Sequence, residues 1–357
     1  MLRAGVTKNA PKTEDKIMEK YRQIVFTKPC VAEFLEKTLS ELAPTQVAVK
    51  TVISSISCGT ERALASGNPN VSIAIAEGVE VAFPRTSGYS SAGVVVAVGE
   101  AVNDLKVGDR VAMAWSCHSE INVMPRHNVF KIDDSVSFSA AALCHIGTFP
   151  LAAIRKTKLE VGESMMIMGL GVLGLWAVSL ARIAGAVPVI AVDPVKERRE
   201  KALSLGADYA FDPTEADFVK KVKEVTGGGV NTVVEVTGLG IGLDQSLDCM
   251  KRFGRIALLG CTRNKEFHID YYRKVHGPGI TMIGAHTDAR PRHESSDGWF
   301  TAKDDTEAII KLIARGRIAP DKMVDEVYSP VDCGEIYDRL CNGNDFPAVA
   351  QFDWTKI

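Results

Sequence analysis

The sequence predicts an α/β protein of two domains, a doubly wound parallel sheet beside a smaller β-barrel. Three observations carry that expectation. At 357 residues the chain exceeds one average domain. From Gly162 onward, short apolar runs alternate with helical runs, the pattern of a parallel sheet with helices on both faces. Before that stretch, residues 86–111 show β-branched runs broken by Gly-Glu and Gly-Asp turns, as in a small barrel.

In chain order, residues 1–20 form a polar, partly helical extension. The apolar runs 23–27 and 46–53, separated by Pro44, read as strands, and residues 118–132 add a strand pair. Residues 137–156 read as one helix, opened by serines that can cap its N-terminus. Residues 164–168 form a buried strand, 175–184 an apolar helix stopped at Gly185, and 189–192 a second strand. A helix over 196–205 closed by Gly206, strands at 231–235, 255–260 and 280–283, and a helix over 304–314 complete the pattern.

Between the first of these buried strands and its helix stand Gly169, Leu170, Gly171, Val172, Leu173 and Gly174; Asp193 ends the next strand. The first glycine permits the tight turn, the second lets backbone approach a pyrophosphate, and the third lets helix pack on strand. The helix N-terminus offers free N–H groups and a positive dipole end to the diphosphate. A carboxylate at Asp193 can accept both ribose hydroxyls of NAD and would repel the 2′-phosphate of NADP. A lone glycine pattern is weak evidence; strand, turn, helix and acid in sequence point to a dinucleotide site.

Composition narrows the rest. Hydrophobic content of 46% and charged content of 24% describe a globular chain, and a net charge of −2 gives no reason to expect nucleic acid or membrane as a partner. No apolar run reaches the ~18 residues that span a bilayer. The first twenty residues lack the apolar core of a secretory signal. Cysteines at 30, 58, 117, 144, 249, 261, 333 and 341 form no CxxC, so free thiols in a reducing cytoplasm are expected.

Six motifs in order carry a family resemblance: ISCGTE (56–61), GYSSAGVVVAVG (88–99), VGDRV (107–111), SEINVMPRHNVFKI (119–132), GLGVLG (169–174) and VVEVTG (233–238). Together they resemble the medium-chain dehydrogenase/reductase superfamily, which holds zinc alcohol and polyol dehydrogenases and zinc-free quinone reductases. The resemblance covers roughly residues 23–352. It implies a GroES-like catalytic domain from residues 1–149 and 286–357, a Rossmann domain over 150–285, and a cleft where substrate meets nicotinamide. It also implies homodimers or homotetramers joined through the last Rossmann strand, near residues 281–284.

For the cofactor, the resemblance places Arg198 beside the adenosine ribose and Thr148 at the nicotinamide ribose. Val236, Thr237, Gly260 and Cys261 fall at strand C-termini, where open parallel sheets bind ligands, and His286 opens the return loop beside them. That loop, residues 285–300, carries Arg290, Arg292, His293 and Trp299, candidates for an anionic or sugar substrate or simply a charged surface.

The departures concern the metal. Cys58 and Cys144 match two zinc-ligand positions of the family, but the family's Gly-His-Glu is here Gly88-Tyr89-Ser90, and the four-cysteine lobe is missing. A catalytic zinc needs three good ligands and an open position, so ligand count argues against zinc. Cys117, His118 and His145 lie close enough in sequence to complete an unusual site, which leaves the alternative open.

Without zinc, Thr60 matches the hydroxyl of the family's proton relay, whose histidine is here Ala63. Tyr89 can donate to a developing alkoxide, or merely fill the metal's volume. His118 and His145 are candidate acid/bases, or structural histidines. Glu61 is expected to pair with a cation such as Arg62. The expected activity is NAD-dependent, zinc-independent hydride transfer with an alcohol or carbonyl substrate, a sugar or polyol by the resemblance of GYSSAG. Alternatives are a zinc polyol dehydrogenase with unusual ligands, a quinone or enoyl reductase, which Asp193 speaks against, and a non-catalytic NAD-binding sensor.

Overall fold

A computed structural model describes residues 20–39, 41–68, 79, 81–262 and 266–357. The N-terminal extension expected over residues 1–20 lies, but for Lys20, outside the described residues. Strands β1 (Lys20–Lys28) and β2 (Val31–Thr38) form a hairpin, and β3 (Gln46–Ile56) runs straight into helix α1 (Cys58–Ser66). After β4 (Arg85–Thr86) come β5 (Ser90–Val98), β6 (Arg110–Ala114), β7 (Ile121–Pro125) and β8 (Val129–Lys131). The last two do not pair with each other, contrary to expectation: β7 lies on β3 and β8 on β6. Each pairs instead with a longer strand distant in sequence.

The single helix expected over residues 137–156 is two, α2 (Phe138–Ala141) and α3 (Cys144–Lys156). Ser137 caps α2 as expected, accepting from the Ala140 N–H at 3.0 Å. At the break, the Ser90 hydroxyl donates to the Ala142 carbonyl at 2.6 Å, where a continuous helix would use its own N–H. The parallel half then follows: β9 (Met165–Met168), α4 (Val172–Ile183), β10 (Val189–Val192), α5 (Lys196–Ser204), β11 (Tyr209–Phe211), α6 (Phe218–Val225), β12 (Val230–Glu235), α7 (Gly240–Cys249), β13 (Met250–Leu258) and β14 (Thr281–Gly284). Finally α8 (Ala302–Ala314), β15 (Glu326–Tyr328), α9 (Cys333–Asn342) and β16 (Ala350–Asp353) return to the first half, β16 pairing antiparallel with β3.

The six-stranded sheet is parallel throughout, in the order β11-β10-β9-β12-β13-β14. This is the Rossmann order, and its direction of winding reverses between β9 and β12, where a crevice opens at the strand ends. Every residue of β9 and β10 is buried, which is why both read as unbroken apolar runs. The barrel sheet runs β15-β16-β3-β5-β6-β8 with β7 on β3, so both chain ends build it.

One apolar core joins the halves. It runs from Ala92 and Ala112 in the barrel through α3 to Trp176 on α4 and Ile309 on α8. A Cβ at Gly147 would lie 2.9 Å from the Trp176 ring, so α3 sits flush on α4 there. The opposite face of α3 carries His145, Phe149 and Lys156 at helical spacing. Among the described residues no helix is long and apolar enough to cross a membrane.

Candidate active site

The dinucleotide cradle lies at the crevice. Gly169 has φ +99°, where a side chain is strained, and a Cβ at Gly174 would stand 1.9 Å from the Gly169 carbonyl oxygen. Gly171 is the extended N-cap of α4, and space beside it is open; Val172 and Leu173 form the helix's first turn. The cradle therefore has the shape a pyrophosphate needs: a tight turn, a close helix, and unobstructed backbone at the helix start. Asp193 holds it together. Its Oδ2 accepts from the Leu170 N–H at 2.8 Å and its Oδ1 from the Val195 N–H at 2.9 Å, with Arg198 Nη1 3.7 Å away. Each oxygen keeps one lone pair unused.

The other expected cofactor residues fall around this crevice with different freedom. Val236 and Thr237 follow β12, the Thr237 side chain folded onto the Glu235 carboxylate, and Gly260 and exposed Cys261 follow β13. His286 is partly exposed and accepts from the Asp288 N–H at 3.2 Å. Thr148 is fully buried and its hydroxyl donates to the His145 carbonyl at 2.7 Å, leaving the oxygen able to accept.

On the barrel side, Glu61 is fully buried at the centre of a polar network. Its carboxylate accepts from Tyr337 at 2.5 Å, from the Ser57 N–H at 2.9 Å, from Ser87 at 3.2 Å, and faces His118 Nε2 at 3.0 Å. Burial alone would raise this carboxyl, but His118, Tyr337 and the Ser57 amide outweigh it and hold it below the usual range. An ionised carboxylate only accepts, so His118 Nε2 carries a proton; its Nδ1 meets Ser54 Oγ at 2.7 Å, and Ser54 in turn accepts from the Trp354 indole at 2.8 Å. Two expectations are corrected here. Glu61 pairs with His118 rather than Arg62, whose guanidinium instead reaches the Leu340 carbonyl, because α1 turns residue 61 inward and residue 62 out. His118 is no acid/base for a substrate: it is 0% exposed and both ring nitrogens are engaged.

His145 is the opposite case. It is 2% exposed, and neither ring nitrogen has a hydrogen-bond partner. Its ring lies among Trp115 at 4.7 Å, Phe149 at 5.1 Å and Tyr89 at 5.9 Å. Burial and the nearby Arg290 charge push it down to about 3, so the ring is neutral at pH 7. The Tyr89 phenol donates to Ser57 Oγ in a short hydrogen bond and also meets the Thr60 side chain. Burial raises the phenol, which stays protonated. The structure thus gathers Thr60, Tyr89 and His145 at the cleft and leaves His118 beneath the barrel wall.

Sequence reasoning missed Trp115, Phe149 and Ser57. Phe149 carried a signal, the i, i+4 spacing from His145 on one helix face. Trp115 carried none: it stands at φ 60°, left-handed for a non-glycine residue, and is 48% exposed at the mouth of the aromatic box. Such backbone costs ~1–2 kcal/mol and is found where a site over-determines it. Arg290, from the loop following β14, reaches the Thr148 carbonyl at 3.2 Å and buried Asp305 at 3.4 Å; Asp305 also accepts from Arg155 at 2.5 Å. Arg292 and His293 instead face solvent.

The positions of a catalytic zinc hold a different donor set. Cys58 Sγ lies 3.5 Å from the Pro347 carbonyl, and burial pushes its thiol up to about 12. Cys144 Sγ turns to the Ala140 carbonyl at 3.7 Å, and burial raises it as well. Among the described residues no three of His, Cys, Asp and Glu gather as metal ligands.

Comparisons with known proteins identify the family. The alcohol dehydrogenase GroES-like domain matches residues 43–149, and the zinc-binding dehydrogenase family matches residues 172–297. L-threonine 3-dehydrogenase of Pyrococcus abyssi (strain GE5 / Orsay) is 30% identical over 348 residues, 88% of this chain and 93% of that protein. (R,R)-butanediol dehydrogenase of Bacillus subtilis (strain 168) is 28% identical over 269 residues, 68% of this chain and 72% of that one. The crystal structure of 2R,3R-butanediol dehydrogenase from Bacillus subtilis shares the fold, with a TM-score of 0.78 at 23% identity over 93% of this chain and 99% of that chain. The chain belongs to the zinc-type alcohol dehydrogenase family of medium-chain dehydrogenases and is a dehydrogenase acting on a CH–OH group.

Proposed function

We propose that this dehydrogenase uses NAD and oxidises the carbinol of a polyhydroxylated, sugar- or polyol-like substrate without a catalytic zinc. The observation that carries the cofactor reading is Asp193, whose carboxylate closes the glycine turn and retains one lone pair on each oxygen. Against zinc stands the donor set. A catalytic zinc needs three thiolate, imidazole or carboxylate ligands, and the residues present do not fit: only Cys58 and Cys144 match ligand positions, and Tyr89 and Ser90 stand where imidazole and carboxylate would.

The bound nicotinamide supplies the hydride acceptor. The chain supplies orientation and proton chemistry. Tyr89 stays protonated; turned from Ser57 to the substrate oxygen, its one O–H donates there as charge develops. His145, held neutral, orients the carbinol hydroxyl through an unpartnered ring nitrogen. An aromatic box of Trp115, Phe149 and Tyr89 keeps water from both groups. We also assign the open edge β14, flanked by exposed Phe253, Tyr271 and Tyr272, as the surface that pairs two copies.

The test is elemental zinc per subunit on protein purified without chelator or metal resin, beside NADH binding and turnover of a polyol panel. Zinc near zero in protein that binds NADH and oxidises an alcohol supports the reading. Zinc near one per subunit in the active protein overturns its metal-free part, and NADH binding with no turnover at all favours a sensor.

A further inference from the structure

We propose that Cys30 and Cys341 are a redox-active pair, closed by a small-molecule disulfide into a reversible cross-link between the β1–β2 turn and the end of α9. Three elements bring them together. The Cys30 N–H donates to the Ala65 carbonyl at 2.7 Å, and Arg62 Nε donates to the Leu340 carbonyl at 2.7 Å. Arg62 and Ala65 are neighbours on one face of α1, so that helix holds Cys30 and the residue before Cys341 at the same place. A second contact gives the same registration. Tyr337 packs edge-on against Phe26 with ring centroids 4.8 Å apart. From there α9 advances one turn to Cys341, while β1 runs out into the turn that carries Cys30. The two thiols meet there in a side-chain hydrogen bond.

The turn itself speaks for the thiol. Lys28 pairs with Val31 across the hairpin, which leaves Pro29 and Cys30 as the two turn residues. Cys30 has φ 59°, and a turn with proline first and a left-handed residue second ordinarily takes glycine or asparagine there. Cysteine has no backbone advantage at this position; its side chain is what meets α9. Access fits as well. Both cysteines are half-buried, which leaves an oxidant a path, whereas Cys144, Cys249 and Cys333 are buried. Burial and the Cys30 thiol hold the Cys341 thiol well above its usual range, so Cys341 keeps its proton and can donate it to a Cys30 thiolate. Of the nearby charges, Arg62 favours a thiolate and Asp338 opposes it. Cys30 is therefore the nucleophile. Having lost its proton to solvent, it attacks one sulfur of glutathione disulfide and expels one glutathione thiolate. Cys341 then gives its proton to that thiolate, attacks Cys30 Sγ and expels the second, which takes a proton back from solvent. Two protein thiols are oxidised, and one external disulfide is reduced to two thiols.

The experiment equilibrates the native protein with glutathione buffers of increasing oxidised fraction, quenches with N-ethylmaleimide, and maps the digest by mass spectrometry. A linked Cys30–Cys341 peptide is expected in oxidising buffer, with dithiothreitol returning both thiols. Because the cross-link closes most of the chain into a loop, the oxidised protein should melt ~3–6 °C higher than the reduced one. Cys30→Asn suits the left-handed turn and so removes the thiol without straining the fold. That variant and Cys341→Ala are each expected to lose the linked peptide and the melting shift together. Cys261→Ser, at the exposed thiol, should keep both. Glutathione adducts without the linked peptide, cross-links between other cysteines in its place, an unchanged melting temperature on cross-linking, or a shift that persists in Cys30→Asn overturns the assignment. The hydride-transfer reading stands apart from either result.

Discussion

His118 and His145 are both buried, yet they teach opposite lessons. His118 lies under the barrel wall with Glu61 on one nitrogen and Ser54 on the other, and the network continues to Tyr337, Ser87 and Trp354. His145 lies on the cleft wall among aromatic rings, with nothing on either nitrogen. Burial separates neither from the core; completion of the hydrogen bonds does. The first set is a structural brace tying β3, α1 and α9, while the second leaves both nitrogens without a partner. This difference has energetic consequences of opposite sign.

The largest effect should come from breaking the brace. Glu61→Ala strips His118, Tyr337, Ser87 and the Ser57 amide of one shared acceptor, and is expected to cost ~3–5 kcal/mol in urea unfolding. A loss below about 1 kcal/mol would mean the network is looser than its distances. The cleft responds to a different probe. Tyr89→Phe keeps the ring against His145 and Phe149 but removes the phenol, so kcat should fall ~10²-fold with stability within ~1 kcal/mol. Unchanged turnover would return Tyr89 to a space-filling role.

The same contrast explains what the sequence disclosed. The Rossmann half was legible because its evidence is local: GLGVLG and Asp193 lie within one strand-turn-helix-strand unit, and the strand 189–192 coincides with β10. The barrel was legible as strands but not as pairings, since β7 and β8 choose partners distant in sequence. The site was harder still. Thr60, Tyr89 and His145 were recognisable as chemistry-bearing types, but which histidine is completed depends on Ser54, Glu61 and Trp354, up to 300 positions apart. Trp115 reaches the box through a left-handed backbone that no periodicity encodes.

The next effect is pH-dependent. His145 titrates near 6.5 when unfolded and about 3 when folded, so between these values the unfolded chain binds more protons. Its stability contribution is complete above about pH 6.5 and is lost as pH falls towards 3. Asp305, raised by burial to about 6 despite Arg155 and Arg290, pulls the other way, so the comparison belongs against His145→Phe. Between pH 7 and pH 5 the wild type should lose about 2 kcal/mol more than that variant. Parallel acid-side curves would show that His145 is hydrated and not held neutral.

Asp193 stands between the two histidines and gives the smallest expected effect. Like Glu61 it is bonded on both oxygens, to Leu170 and Val195; like His145 it retains capacity for a ligand, one lone pair per oxygen. Asp193→Ala should therefore act on both counts at once, loosening the glycine turn and removing the ribose acceptor. NAD binding is expected to weaken ~10-fold, while NADP, freed from carboxylate repulsion and met by Arg198 alone, should weaken less or improve. Calorimetric titration of both cofactors into wild type and variant separates the roles. A uniform loss for NAD and NADP would make Asp193 a brace like Glu61; a change in their ratio makes it the group that reads the ribose.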